Sequence, residues 1–334
     1  MAPMRFGSAA ENWRDSMKRH PTSPILTRLD IPSVAHVVDV TSVFNPGAIR
    51  LDDRYLLLVR VQTRGRETVL MVAESSDGAR FQVLPELVHF NGLEAVQQTI
   101  YHVYDPRLTK IGDTIYVMFA ADTDAGCRLG LARTKDFRHF ELVSFGGDDD
   151  TRNGVLFPEL KDGRFRRFER PNRTTLAGGV TTGSEIILSE SDDLITWRPL
   201  GPVMSGRLHY WDELIGSGPP PVKTRQGWLH VYHGVATHFA SVNIYQAGVV
   251  LLDLKDPRRV LARGRNNILE PREPYELIGQ VPNVVFPSGM IVDEYDQDGF
   301  AAPRSLVRLY YGAADTVVGL ATTTIAELID ACHT

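Results

Sequence analysis

The chain has 334 residues, 43% of them hydrophobic and 23% charged, which is ordinary for a water-soluble globular protein and enough to bury a large core. With 36 basic and 41 acidic residues the net charge is −5, which argues against a nucleic-acid partner, and no apolar run approaches the length of a membrane helix. Two distant cysteines, Cys127 and Cys332, exclude a disulfide framework, and ten histidines without HxH or HExxH spacing give no metal motif.

In chain order, "MAPMRFGSAAENWRDSMKRHP" carries no apolar leader segment, so a cytoplasmic location is expected. Within it, "SAAENWRDSMKRH" (8–20) reads as a short helix, part of an N-terminal extension over residues 1–35 through which copies of the chain could associate as a homo-oligomer. From residue 36 the pattern changes to strands rich in Val, Ile, Leu and Tyr, separated by Gly and Asp turns. A proline precedes an apolar strand five times, at Pro46, Pro106, Pro158, Pro220 and Pro287. Each is followed by a polar turn, a second strand, and then a third: "TVLMVAES", "RLGLARTK", "EIILSES", "AGVVLLDL" and "VVGLATTT". Three of the units continue into a related turn built around Asp77, Asp136 and Asp192. The chain closes on "TIAELIDACH" (324–333), which has helical spacing. Five all-β units of about 60 residues each match the blades of a β-propeller. The fold expected is therefore all-β, a single five-bladed β-propeller over 36–334 with a short helical extension before it.

In such a ring, equivalent positions of the inner strands meet at one mouth of the central channel. The residues before the five prolines are Asn45, Asp105, Phe157, Pro219 and Phe286, and those near the ends of the second strands are Arg60, Ala121 or Asp122, Arg170, His233 and Asp315. A single charge at a strand end is ordinarily solvated; several sharing one phase of a repeat are not so easily dismissed. Carboxylates (Asp105, Asp315, Glu276) beside aromatics (Tyr104, Tyr245, Phe286, Trp211) suit a sugar. Clustered cations (Arg60, Arg152, Arg170) with His233 suit a phosphate. There is no P-loop, and "AGGVTTG" (177–183) lacks the lysine of one.

The motifs "FNPGAI", "YDPRLTK", "LFPELKDGRF…ERP", "GSGPPPVKT…GWLHVYHGV", "PYELIGQVPNVVFPSG" and "LYYGAADTVVGLAT" resemble those of glycoside hydrolase family 130, the β-mannoside phosphorylases and related β-mannosidases. The resemblance spans roughly residues 40 to 325. It implies a five-bladed propeller and an inverting reaction in which inorganic phosphate, as co-substrate, attacks the mannosyl carbon of a short oligosaccharide; no cofactor is implied. It implies that Asp105 is the general acid, its proton passing through a mannose hydroxyl. It further implies that Arg152, Arg170, His233 and Tyr245 hold phosphate, and that Asn45, Arg60, Tyr104, Phe286 and Asp315 hold or shape the mannose subsite. One departure stands out: Leu214 occupies a position where the family's phosphorylases usually carry lysine. That keeps open a hydrolytic reading, with Glu213 or Glu276 as the base that activates water. A non-catalytic glycan-binding propeller is a third reading, which the acid at Asp105 disfavours.

Overall fold

A computed structural model describes residues 16–35, 37–147, 150–172, 183–237 and 242–334. Their strands form five sheets arranged as the blades of a propeller, antiparallel except where Phe90–Asn91 pairs parallel with the outer strand Phe140–Phe145. The innermost strands of blades I to V are Val40–Leu51, Ile100–Ile111, Thr151–Leu156, Leu214–Ser217 with Val222–Thr224, and Val285–Val292. The second strands, Arg54–Thr63, Thr114–Thr123, Phe165–Pro171, Gly227–Ala236 and Leu306–Ala313, carry the alternation of each sheet outward. Because a sheet exposes two faces, each blade must bury both, and it does so against its two neighbours. Five clusters result, one per interface: Leu57, Val59 and Tyr310 lie between blades I and V, and Leu58, Val117 and Phe119 between I and II. Met118, Leu131 and Leu156 lie between II and III, Phe157, Phe168 and Tyr232 between III and IV, and Val231, Val249 and Leu309 between IV and V.

The ring is closed by the start of the chain. Lys18–Arg19 pairs antiparallel with Val317–Thr324, so the outermost strand of blade V comes from the N-terminal segment. Met17 and Leu26 are buried in the clusters on either side of that blade. Residues 16–35 are thus built into the ring, where the sequence suggested an extension outside it. The helix expected over 8–20 lies mostly outside the described residues, and its last part is strand. The C-terminal helix is present at Ile325–Cys332, with Thr324 as its N-cap and Glu327 completing a capping box.

The repeated Asp turns are structural. Asp77 and Asp136 each accept two backbone N–H bonds from the residues two and three further on. In blade III this role falls to Asp193, which accepts from Ile195 and Thr196, and not to Asp192, which pairs with Arg164. Such turns hold the connection to the outermost strand and use up the carboxylate locally.

Candidate active site

The inner strands of blades I, II and III share one irregularity. Between Phe44 and Gly47, Tyr104 and Arg107, and Arg152 and Val155, the strand carries one more residue than its partner, a β-bulge. At each bulge one residue takes a left-handed conformation: Asn45 at φ 47°, Asp105 at 52° and Asn153 at 52°. Asn and Asp are the side-chain-bearing residues that tolerate this region best, which gives a backbone reason for their presence here. The bulge re-aims each side chain toward the ring axis.

There they line a cavity of about 290 Å³ together with Arg60, Tyr104, Asp122, Arg152, Arg170, His233, Tyr245, Phe286 and Asp315. The residues that the family resemblance assigns to phosphate and to the mannose subsite, from Asn45 to Asp315, all line this one space. Asp105 is held twice on the same oxygen: Asn45 Nδ2 donates to Oδ1 at 2.9 Å, and an Arg60 amino group approaches it at 3.4 Å. Arg60 is itself sandwiched between the rings of Phe44 (4.5 Å) and Tyr104 (5.0 Å). Burial pushes the Asp315 carboxyl up to about 6, an effect that Arg60 opposes and Asp105 reinforces. The Tyr104 hydroxyl donates to Asp122 at 2.7 Å.

Across the cavity, Arg152 and Arg170 are directly paired on adjacent strands of blade III. Like charges so placed repel one another. Arg152 reaches Asp122 at 3.4 Å, whereas Arg170, almost fully buried, bonds only to Asn172 Oδ1 at 3.2 Å among the described residues. Burial, with Arg152 adding to it, lowers the Arg170 guanidinium to about 10, so it is still charged at neutral pH. Both Nε atoms are buried without a partner among the described residues. His233 stacks on Phe286 with ring centres 4.6 Å apart, and burial followed by the charges of Arg170 and Arg107 holds it well below the usual histidine range, as the neutral imidazole. Its Nδ1 is also unpartnered. Gly216 faces it, and any Cβ there would collide with the His233 ring and with Asn153. The wall is cationic and rich in donors, an arrangement suited to an oxyanion.

Several expectations need correction. Phe157 does not reach the mouth: it is buried between blades III and IV against Phe168 and Trp228. Its place is taken by Asn153, because the blade III bulge falls at "NGV", ahead of Pro158. Pro219 is buried outside the cavity, and Trp211 packs on Tyr232 with its indole N–H donating to the Arg265 carbonyl. Neither candidate base lines the cavity. Glu276 is fully buried, paired with Arg19 at 2.8 Å and accepting from the Tyr311 hydroxyl and the backbone of Arg272 and Glu273. Glu213 accepts the hydroxyl of Thr237. Leu214 is buried beside Val235 and places no charge at the anion wall. Most of "AGGVTTG" lies outside the described residues.

Five blades enclose an axial cavity with a doubly hydrogen-bonded carboxylate on one side and paired guanidinia on the other, an arrangement suited to binding a sugar and an oxyanion together. A sequence profile of the family described as β-1,4-mannooligosaccharide phosphorylase matches residues 16–334, and the chain belongs to that family, glycoside hydrolase family 130. It is 30% identical over 326 residues to the β-1,4-mannooligosaccharide phosphorylase of Ruminococcus albus, covering 95% of this chain and 91% of the relative. It is 33% identical to the 4-O-β-D-mannosyl-D-glucose phosphorylase of Bacteroides fragilis, over 93% of this chain and 82% of that one. Among solved structures, the β-1,2-mannobiose phosphorylase of Listeria innocua in complex with β-1,2-mannobiose superposes with a TM-score of 0.80 at 26% identity, over 95% of this chain and 99% of that one.

Proposed function

We propose that the protein is an inverting phosphorylase that cleaves a short β-mannoside with inorganic phosphate, giving α-mannose 1-phosphate and a free acceptor sugar: glucose, N-acetylglucosamine or mannose. Asp105 supplies the proton to the departing oxygen by way of a mannose hydroxyl, as the C1–O bond breaks. Phosphate, held by Arg152, Arg170, His233 and Tyr245, forms the new bond from the opposite face. Asn45, Arg60, Tyr104, Phe286 and Asp315 hold the mannosyl ring between the two. An inverting site needs an acid on one side and room for the nucleophile on the other. Phosphate is already an anion, so the nucleophile's side needs cations and no base. The observation that carries this reading is the presence, inside one cavity, of a doubly held carboxylate and two adjoining guanidinia.

Leu214 favours a second reading, hydrolysis, because it withholds one cation from the anion wall. Water would then need a carboxylate base, and Glu213 and Glu276 are both engaged elsewhere. The test is to incubate a panel of β-mannosyl disaccharides with and without phosphate. Mannose 1-phosphate formed only with phosphate is the expected result. Free mannose released at the same rate in its absence would make the enzyme a mannosidase, and no cleavage at all would leave a glycan-binding propeller.

A further inference from the structure

Behind the acid, the ring axis is filled by a side chain that this chemistry does not use. Arg107 lies two residues after Asp105 on the same inner strand, is 1% exposed, and is the bulkiest fully buried side chain among the described residues. Its guanidinium crosses from blade II toward blades IV and V. Nε donates to the carbonyl of Gly218 at 2.8 Å. One amino group donates to the carbonyl of Asp105 at 3.1 Å and approaches that of Pro106 at 3.4 Å. The group also sits over the ring of Phe286, 5.4 Å from its centre. The second amino group has no protein partner, and no carboxylate lies in ion-pair contact with this cation among the described residues.

A buried cation without a paired carboxylate is unfavourable in itself. Its geometry, however, is specific. The carbonyls it grips are those of the bulge that carries Asp105, at the point where the strand ladder skips a residue and gives the backbone less support. Asp105 there holds a left-handed conformation, which persists only where surrounding contacts enforce it. We propose that Arg107 is a positioning residue for the proton donor: it locks the Asp105–Pro106 bulge to blades IV and V and so fixes the angle at which the carboxyl meets the substrate. Through Phe286, which stacks on His233, the same side chain ties the acid's backbone to the anion wall. This inference rests on the reading of Asp105 as the acid.

Leaving-group dependence tests it. Three variants, Arg107→Met, Arg107→Lys and Asp105→Asn, are assayed with phosphate on a β-mannosyl disaccharide and on 2,4-dinitrophenyl β-mannoside, whose leaving group departs without a proton. For Arg107→Met, kcat on the disaccharide should fall by about 100-fold, the order of loss that a small misplacement of a reacting group brings. Its KM for disaccharide and phosphate should stay near wild type, and its loss on the dinitrophenyl substrate should be several-fold at most. Arg107→Lys, which keeps the charge and a donor, should recover part of the loss. Equal losses on both substrates, with Asp105→Asn still selective for the disaccharide, would overturn the positioning role and leave the acid in place. If Asp105→Asn itself showed no leaving-group dependence, the acid reading would fall and this inference with it. Should Arg107→Met not fold by thermal melting, Arg107→Lys decides: a selective kcat loss on the disaccharide supports the role, and an unchanged kcat on both substrates overturns it.

Discussion

The two walls of the cavity are built differently. On the side of blades I, II and V, the central carboxylate is saturated on one oxygen by Asn45 and Arg60, and Arg60 is clamped between two rings. On the side of blades III and IV, two guanidinia stand in register, their Nε atoms and the Nδ1 of His233 unpartnered. Buried side-chain atoms without a partner among the described residues occur on both walls, Asn45 Oδ1 and Arg60 Nε on the first and three nitrogens on the second; what separates the walls is charge, a carboxylate held by two donors on one side and two adjoining cations on the other. On the proposed function, the first wall supplies a preset donor and the second draws in the phosphate co-substrate.

The sharpest way to break this contrast is to disable the carboxylate wall. Asp105→Asn should lower kcat on a disaccharide by about 1,000-fold or more, the scale of a lost general acid, while sugar affinity measured by calorimetry stays within a few-fold. Near-normal turnover would remove Asp105 from the chemistry. Next is the cationic wall: Arg170→Met should raise the KM for phosphate by roughly 10- to 100-fold, as expected for a lost charge-assisted bond of about 1.5–3 kcal/mol, with little change in KM for the sugar. Equal changes in both KM values would mean the two walls are not separate.

A smaller effect concerns stability. The Asp315 carboxyl titrates near 6 in the folded protein, above its ordinary value of 3.8, because burial disfavours the charged form. The folded state therefore binds this proton more tightly than the unfolded state does. The stability it contributes is full below about 4 and is lost as pH rises through about 6. Asp315→Asn should thus raise the melting temperature relative to wild type by a few degrees at pH 8 and by much less at pH 4. A difference independent of pH would show that Asp315 does not titrate in this way. The smallest effect is expected at Glu213→Gln, which lies outside the cavity and should leave kcat and both KM values essentially unchanged.

Much of this was legible in the chain. The spacing of Pro46, Pro106, Pro158, Pro220 and Pro287 marked five blades, and the third strands fall close to where their Val- and Leu-rich runs predict. The cavity residues of blades I, II and V were also readable, because there an Asn, Asp or Phe directly precedes the proline. Blade III broke the rule. Its bulge uses Gly154 where the others use proline, so Asn153 was overlooked and Phe157, next to Pro158, took its place. The signal was present, since "RNGV" repeats the bulge pattern of "FNPG" and "YDPR". Closure of the ring by Lys18–Arg19 was not legible, because a two-residue strand has no periodicity to detect. Glu213 and Glu276 were misjudged for a similar reason: ion pairs such as Arg19–Glu276 join residues more than 250 apart, and only the folded ring brings them together.

The most direct test of a preset donor facing an anion-filled wall is the anomeric form of the first product. Wild-type enzyme, a β-mannosyl disaccharide and phosphate would be followed in real time by proton and phosphorus NMR. Opposed walls require α-mannose 1-phosphate to appear first, with phosphate consumed in equal measure. First formation of β-mannose 1-phosphate, or of free mannose without phosphate consumption, would contradict it.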